Sequence, residues 1–150
     1  MTPVRVCSGD GAARALAAIR RAATGPHQQV WTASAFLQWT QGPPGIVLAD
    51  PECSRGYIIL SVAAEEAEII DLRVVPAERR RGLAASLLDA GAQIARKQGV
   101  HRLTLEVATD NAPALALYHG AGFQNAGRRP GYYRRADGGR VDAHILAKAL

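Results

Sequence analysis

The feature that most constrains this chain is a strand, a turn and a long helix that follow one another between residues 67 and 99. Residues 67–75 are rich in apolar side chains, and Pro76 ends the run because proline cannot donate to a sheet ladder. Apolar residues then recur with the 3.6-residue period of an amphipathic helix. They are Leu83, Leu87, Leu88, Gly91, Ile94 and Ala95. Lys97 and Gly99 supply a basic last turn and a terminating glycine, so this unit predicts a mixed α/β fold.

The residues before this unit predict two helices and a pair of strands. Asp10 is predicted to cap a first helix that ends near residues 24–26, and Thr32 is predicted to cap a shorter one. Residues 46–48 and 57–62 are β-rich, and the stretch between them is rich in turn-forming residues. The two runs should therefore form paired antiparallel strands.

Alternation in residues 101–107 predicts a strand with two different faces. Its apolar residues, which should face the core, are Leu103, Leu105 and Val107. Glu106 then lies on the opposite face. Asn111 is predicted to cap the next helix, with Pro113 tolerated in the first turn and Tyr118 further along.

The C-terminal part of the chain predicts further strands. Phe123 opens one, and two more are expected near residues 132–133 and 141–146, on either side of a hairpin turn at residues 137–139. A chain of 150 residues with 48% hydrophobic side chains can bury one core without a metal or disulfides. We therefore expect a single domain over residues 1–150.

Composition excludes several classes of protein and leaves others open. Cys7 and Cys53 are far apart and belong to no CxxC motif, and the four histidines lack metal-ligand spacing, so neither a disulfide nor a metal site is predicted. No apolar run approaches the roughly 18 residues of a membrane span or resembles a signal peptide, which predicts a cytoplasmic protein. The net charge of +5 favours an anionic partner, such as a phosphorylated cofactor or RNA.

The turn before the long helix is a candidate phosphate site. A helix N-terminus offers unpaired backbone N–H groups and a positive dipole end, and small residues let a pyrophosphate approach the backbone. The residues concerned are Arg79, Arg80, Arg81, Gly82, Leu83, Ala84 and Ala85. The turn matches neither a Walker loop nor a GxGxxG loop. Taken alone, it is equally consistent with an arginine-rich helix start whose charges are merely solvated.

Two motifs in order give the chain a more specific resemblance. The run from Arg79 through Gly82 to Ala84 matches the Gln/Arg-x-x-Gly-x-Gly/Ala motif of GNAT acetyltransferases. A second block closely resembles the RimI-type members of that family, which acetylate the N-terminal α-amine of a ribosomal protein. It comprises Leu105-Glu106-Val107, Asn111, Ala116-Leu117-Tyr118 and Gly122-Phe123, and it extends to Arg129, Tyr132-Tyr133 and Asp142-Ala143.

The resemblance implies a mixed, mostly antiparallel sheet flanked by helices, whose fourth and fifth strands part in a V that admits acetyl-CoA. The backbone of Leu72, Arg73 and Val74 would hold the pantetheine arm, and residues 79–85 would hold the pyrophosphate. Asn111 would contact the cofactor where the strands diverge. Arg73 departs from the family pattern, which usually has a small or apolar residue there, so it bears on the acceptor pocket.

The resemblance further implies that Glu106 is the general base and Tyr118 the general acid. Residue chemistry agrees with both roles. An α-ammonium with a pKa of about 7.7–8.0 is mostly protonated at neutral pH and must lose a proton before it attacks, and a phenol can protonate the departing thiolate. Trp31, Tyr132 and Tyr133 would shape the peptide groove, although ordinary packing explains them equally well on sequence grounds.

Three classes of function stay open from sequence alone. An α-amine is the easier acceptor, because the lysine pKa of about 10.4 makes lysine costlier to deprotonate. The same fold could instead serve a protein lysine or a small-molecule amine, since fold does not determine the acceptor. The third class, a nucleic-acid-binding module, is suggested by the arginine runs but disfavoured by an aromatic content of 5%.

Overall fold

The computed structural model describes residues 2–24, 31–135 and 137–150. The described helices are α1 (Gly9–Ala23), α2 (Ala33–Thr40), α3 (Leu83–Lys97) and α4 (Ala112–Gly120), with a 3₁₀ turn at Pro76–Glu78. The described strands are β1 (Arg5–Val6), β2 (Gly45–Ala49), β3 (Gly56–Ala63), β4 (Glu66–Val74), β5 (Arg102–Ala108), β6 (Gln124–Arg134) and β7 (Arg140–Ala149). These strands form one mixed sheet in the order β1-β2-β3-β4-β5-β7-β6, which confirms the predicted fold class.

Two apolar clusters lie on opposite faces of this sheet. On one face, Leu87 and Leu88 of α3 pack with Tyr118 of α4 against apolar residues of the strands, including Leu60 and Leu105. The second cluster packs α1 and α2 against β2 and β3, and its fully buried members are Leu16, Phe36, Ala49, Tyr57 and Ile59. Burial of both sheet faces explains why β2 and β3 are almost continuously apolar.

Strands β4 and β5 are the only parallel pair among the described strands, and they separate soon after they meet. Their register joins Glu66 with Arg102, Ala67 with Leu103 and Glu68 with Thr104, and no later residue of β4 pairs with β5. Helix α3 supplies the crossover that a parallel connection requires. The predicted divergence of the fourth and fifth strands is therefore confirmed.

Some local boundaries differ from the sequence predictions. Helix α1 begins one residue before Asp10, with Ser8 at the N-cap, so the predicted cap is wrong; the Asp10 side chain and residues 25–26 lie outside the described part. The short strand β1 was not predicted, because only two of its residues pair, both with β2. Strand β6 is continuous from residue 124 to 134, with irregular register around Pro130 and Gly131, where separate strands were expected.

Candidate functional site

The floor of the candidate site is the half of β4 beyond its contact with β5. Leu72, Arg73 and Val74 pair with β3 on one side only, so the other side of their backbone faces the gap between the diverging strands. The Leu72 side chain packs into the core beneath α3, and the Val74 carbonyl accepts a hydrogen bond from Arg79 Nε at 3.0 Å. A strand with one free edge can bind an extended, amide-containing ligand as a neighbouring strand would.

The arginine-rich turn leads directly into the N-terminus of α3, as predicted. Gly82 is the N-cap and has φ of +85°, and a Cβ there would meet no atom within 4 Å. Leu83 is buried in the core and anchors the first turn of the helix, whereas Gly82 and Ala85 are exposed. The turn thus presents an open, glycine-capped helix start of the kind that binds phosphate.

The three arginines of this turn occupy different environments. Arg79 reaches back to two backbone carbonyls, those of Val74 and Ala23, the second at 3.4 Å. Arg81 pairs with Glu78 at 3.4 Å, and its side chain is 69% exposed. Arg80 is exposed and has φ of +61°. Arg79 therefore braces the turn, while Arg80 and Arg81 extend into solvent, where they add positive charge near the helix start.

Glu106 lies on β5 with its side chain on the face opposite Leu105, as alternation predicted. Its Oε1 accepts a 2.6 Å bond from Arg129, a residue of β6. Its Oε2 is buried and has no hydrogen-bond partner among the residues that the structure describes. A buried carboxylate oxygen without a donor is costly, so this atom would be stabilised by an N–H or O–H donor brought within reach of it.

Aromatic residues of β6 surround this carboxylate. The Tyr133 hydroxyl donates to the Glu106 carbonyl at 3.2 Å, and the Tyr132 ring lies 4.9 Å from the Tyr133 ring. The Arg129 guanidinium lies 4.3 Å from the centre of the Tyr132 ring. Interaction with the Glu106 carboxylate raises the pKa of Tyr132, and burial raises the pKa of Tyr133 to about 12, so both phenols stay neutral at physiological pH.

Tyr118 approaches from the opposite face of the sheet. It is buried on α4, and its ring packs edge-to-face with Phe123 at 5.8 Å. Burial raises the pKa of Tyr118, the nearby Asp71 raises it further, and Arg73 partly offsets both effects. Tyr133 also raises the pKa of Tyr118, and the Tyr133 hydroxyl contacts the backbone carbonyl of Glu106. The phenol therefore stays protonated at neutral pH, and its raised pKa makes it a weaker acid than an exposed tyrosine.

Two other predicted site residues have clear structural roles. The Asn111 side chain caps α4 by accepting the Ala114 N–H at 3.3 Å, just beyond the end of β5. The Trp31 ring packs 5.4 Å from Phe36, and the Arg20 guanidinium lies 4.0 Å from the centre of its ring. The Asn111 cap is confirmed. Trp31 lies beside α1 and α2.

Sequence analysis missed a buried polar cluster next to the site, which we call the Asp71 cluster. It contains Asp71 of β4, Arg20 of α1, Tyr57 of β3 and Arg73 of β4. The Asp71 carboxylate accepts hydrogen bonds from Arg20, from the Tyr57 hydroxyl and, at 3.0 Å, from Arg73 Nε. The available signal was a charged residue inside the apolar strand 67–75, because such a residue needs buried partners.

Glu68 and Arg129 were also missed as neighbours of Glu106. Burial raises the pKa of Glu68, the Glu106 carboxylate raises it further, and Arg129 acts in the opposite direction. Among the described residues, no group of three or more histidine, cysteine or acidic side chains could hold a metal ion. Within the same residues, no helix is both long and apolar enough to cross a bilayer.

Comparison with known proteins shows which family this chain belongs to. Residues 13–123 match the model of the acetyltransferase (GNAT) family. The chain is 41% identical over 91 residues to the [ribosomal protein bS18]-alanine N-acetyltransferase of Escherichia coli K12, a match that covers 61% of each protein. The crystal structure of the E. coli ribosomal-protein-S18-alanine N-acetyltransferase superposes with a TM-score of 0.84 at 31% identity, covering 100% of this chain and 94% of that one.

Two further proteins are similar to this chain, one in sequence and one in structure. A mycothiol acetyltransferase of Clavibacter michiganensis is 42% identical over 71 residues, which cover 47% of this chain and 23% of that protein. Arabidopsis thaliana NAA60, solved in complex with acetyl-CoA, superposes with a TM-score of 0.84 at 19% identity over 99% of this chain and 98% of that one, which shows a shared fold.

Proposed function

The chain belongs to the GNAT family of acetyltransferases, and we propose that it transfers the acetyl group of acetyl-CoA to the N-terminal α-amine of a ribosomal protein. The observation that carries the chemical part of this proposal is the buried Oε2 of Glu106, which lacks a donor among the described residues. A ribosomal acceptor would also place the activity in the cytoplasm.

The residues present fit two parts of acetyl-CoA, the pantetheine arm and the pyrophosphate. The free edge of β4 at Leu72, Arg73 and Val74 suits the amides of a pantetheine arm. The open start of α3 suits a pyrophosphate, with backbone N–H groups of residues 83–85 and the charge of the exposed Arg80. When bound, the thioester supplies the activated acetyl group.

Replacing Gly82 by alanine tests the pyrophosphate site. We expect acetyl-CoA to bind about 10-fold more weakly, because a Cβ would project from the helix start that must approach the phosphates. Gly99→Ala is the matched control, since Gly99 also has φ of +85° with open space around it but follows the other end of α3. Both variants carry a similar backbone strain of about 1–2 kcal/mol. Calorimetric titration with acetyl-CoA would contradict the assignment if the two variants bound it equally well.

We assign the proton transfers to two side chains from opposite faces of the sheet. Glu106 accepts a proton from the acceptor's α-ammonium, whose N–H would satisfy the buried Oε2. Tyr118, which is protonated at neutral pH, donates a proton to the departing thiolate. Arg129 occupies the other oxygen of Glu106 and holds the carboxylate in one orientation.

The proposed acceptor rests on similarity together with amine chemistry. The E. coli relative acts on ribosomal protein bS18. The superposition of its solved structure on this chain covers 94% of that structure. An α-amine with a pKa of about 7.7–8.0 also needs less help to lose its proton than a lysine.

The identity of the acceptor is tested by comparing how fast different amines are acetylated. The purified protein and acetyl-CoA would be offered a peptide copying the N-terminus of bS18, the same peptide with its α-amine blocked and one lysine added, and a panel of polyamines and aminoglycosides, with free thiol release as the readout. We expect the free α-amine peptide to give the highest kcat/KM. If a small amine or the lysine peptide were turned over faster, the proposed acceptor would be wrong, although acetyl-CoA would remain the donor.

A small-molecule amine is the second candidate, favoured by the similarity to a mycothiol acetyltransferase. Nucleic-acid binding is less well supported, because arginines of both basic runs have acidic partners within the chain. Arg81 pairs with Glu78, Arg128 with Asp142 at 2.7 Å, and Arg129 with Glu106. Paired guanidinium groups have less charge to offer to phosphates.

A further inference from the structure

The fold brings the two cysteines together, although 46 positions separate them. Cys7 follows β1, and its N–H donates to the Val47 carbonyl of β2 at 2.9 Å. Cys53 lies in the turn between β2 and β3. The two Sγ atoms are 2.9 Å apart, and the residues are only 4% and 8% exposed. Two thiols in direct contact need little movement of the backbone to become linked.

The turn that carries Cys53 is held in place by a buried carboxylate. Asp50 is fully buried, and its Oδ1 accepts the N–H groups of Ser54, Arg55 and Gly56 at 3.1, 2.8 and 3.0 Å. Cys53 donates its own N–H to the Asp50 carbonyl at 2.9 Å and has φ of +50°. These bonds hold the Cys53 side chain toward Cys7.

A pocket of about 260 Å³ lies against the two cysteines. Both cysteines line it, together with Ser8, Gly11 and Glu52, which are exposed. Arg5 also lines it, and its guanidinium donates to Cys53 Sγ at 3.1 Å. Burial and the contact with Cys53 raise the pKa of Cys7 to about 12, so Cys7 stays a thiol. The Arg5 guanidinium contacts Cys53 Sγ, where it can stabilise negative charge that develops on that sulfur, so Cys53 is the sulfur placed to react first.

We propose that Cys7 and Cys53 form an oxidation site that reacts with hydrogen peroxide and closes an intramolecular disulfide. In the first step the Cys53 sulfur attacks the peroxide, the O–O bond breaks, and Cys53 becomes a sulfenic acid with release of water. In the second step the Cys7 sulfur attacks the Cys53 sulfur, and the S–O bond breaks. The released hydroxide takes the Cys7 proton, so two thiols are oxidised while one hydrogen peroxide is reduced to two waters.

Intact-mass analysis of the full-length protein tests the proposal. The reduced protein would be treated with hydrogen peroxide, denatured and alkylated with a maleimide. We expect monomer that has lost the mass of two hydrogen atoms and takes up no maleimide, and that regains both thiols after reduction. Since the bond closes a long loop, the oxidised monomer should also melt several degrees higher than the reduced one. Protein that keeps two alkylatable thiols, or that forms only intermolecular dimers, would overturn the proposal.

Single variants test the order of the two steps. Cys7→Ser should accumulate a sulfenic acid on Cys53 that a cyclic diketone probe traps, whereas Cys53→Ser should be labelled much more slowly. Arg5→Gln should slow disulfide formation several-fold, and Arg14→Gln is the matched control, because Arg14 is an exposed arginine of α1 that does not line this pocket. Equal rates of disulfide formation in the two arginine variants would show that Arg5 does not assist the reaction.

Discussion

Glu106→Gln is expected to lower kcat by about 10²–10⁴-fold, the usual contribution of a general base. Glutamine keeps the shape of the side chain but cannot accept the proton of an α-ammonium. It can still accept a hydrogen bond from Arg129, so the local fold should survive. The measurement is steady-state acetylation of the acceptor peptide, combined with thermal unfolding and calorimetric binding of acetyl-CoA, both of which should stay close to those of the parent protein.

Glu68→Gln is the matched control for this prediction. Glu68 is a second carboxylate near Glu106, and its pKa is raised by burial and by that neighbour. A raised pKa suits a base that works near neutral pH, so Glu68 is the alternative base that the electrostatics offer. If Glu106→Gln kept full activity while Glu68→Gln lost it, the base would be on β4 rather than on β5.

Asp71→Asn is expected to destabilise the protein by about 3–5 kcal/mol, because it removes the negative charge that compensates a buried guanidinium. The side chains of Arg20 and Asp71 are only 6% and 7% exposed. An amide there also weakens the hydrogen bonds from Tyr57 and Arg73. For a chain of this length the loss corresponds to a fall in Tm of roughly 6–20 °C, to be measured by thermal and urea unfolding.

Glu66→Gln is the matched control on the same strand. Its ion pair with Arg102 is 3.5 Å long, and the two side chains are 61% and 45% exposed, so its loss should cost less than about 1 kcal/mol. Should Asp71→Asn fail to fold, Tyr57→Phe keeps the test open, since it removes one hydrogen bond worth about 0.5–1.5 kcal/mol. Equal stability of Asp71→Asn and Glu66→Gln would show that the Asp71 cluster contributes little.

The Asp71 cluster also connects the core to the site. Asp71 orients Arg73, and the positive charge of Arg73 acts on the phenols of Tyr118 and Tyr133. Arg73, the residue that departs from the family pattern, is therefore paired with Asp71 in the structure. Among the described residues, a small or apolar residue at position 73 would leave that carboxylate with two donors rather than three.

Local features of this protein were predictable from its sequence. The strand that Pro76 follows, the helix that ends before Gly99 and the Asn111 cap each depend on residues within a few positions of one another. The two faces of β5 also follow from alternation alone, which is why Glu106 could be placed opposite Leu105. Two motifs in the right order were then enough to predict the family and the divergence of β4 from β5.

Only the tertiary structure decided which distant side chains meet. The contact between Arg129 and Glu106 depends on the strand order, which places β6 two strands from β5, and the contact between Cys7 and Cys53 requires β1 to pair with β2. Arg20 and Asp71 meet because α1 packs on the face of the sheet that Tyr57 shares. Residue spacing carries no information about such pairs, because their partners are determined by strand order and by the packing of helices on each face.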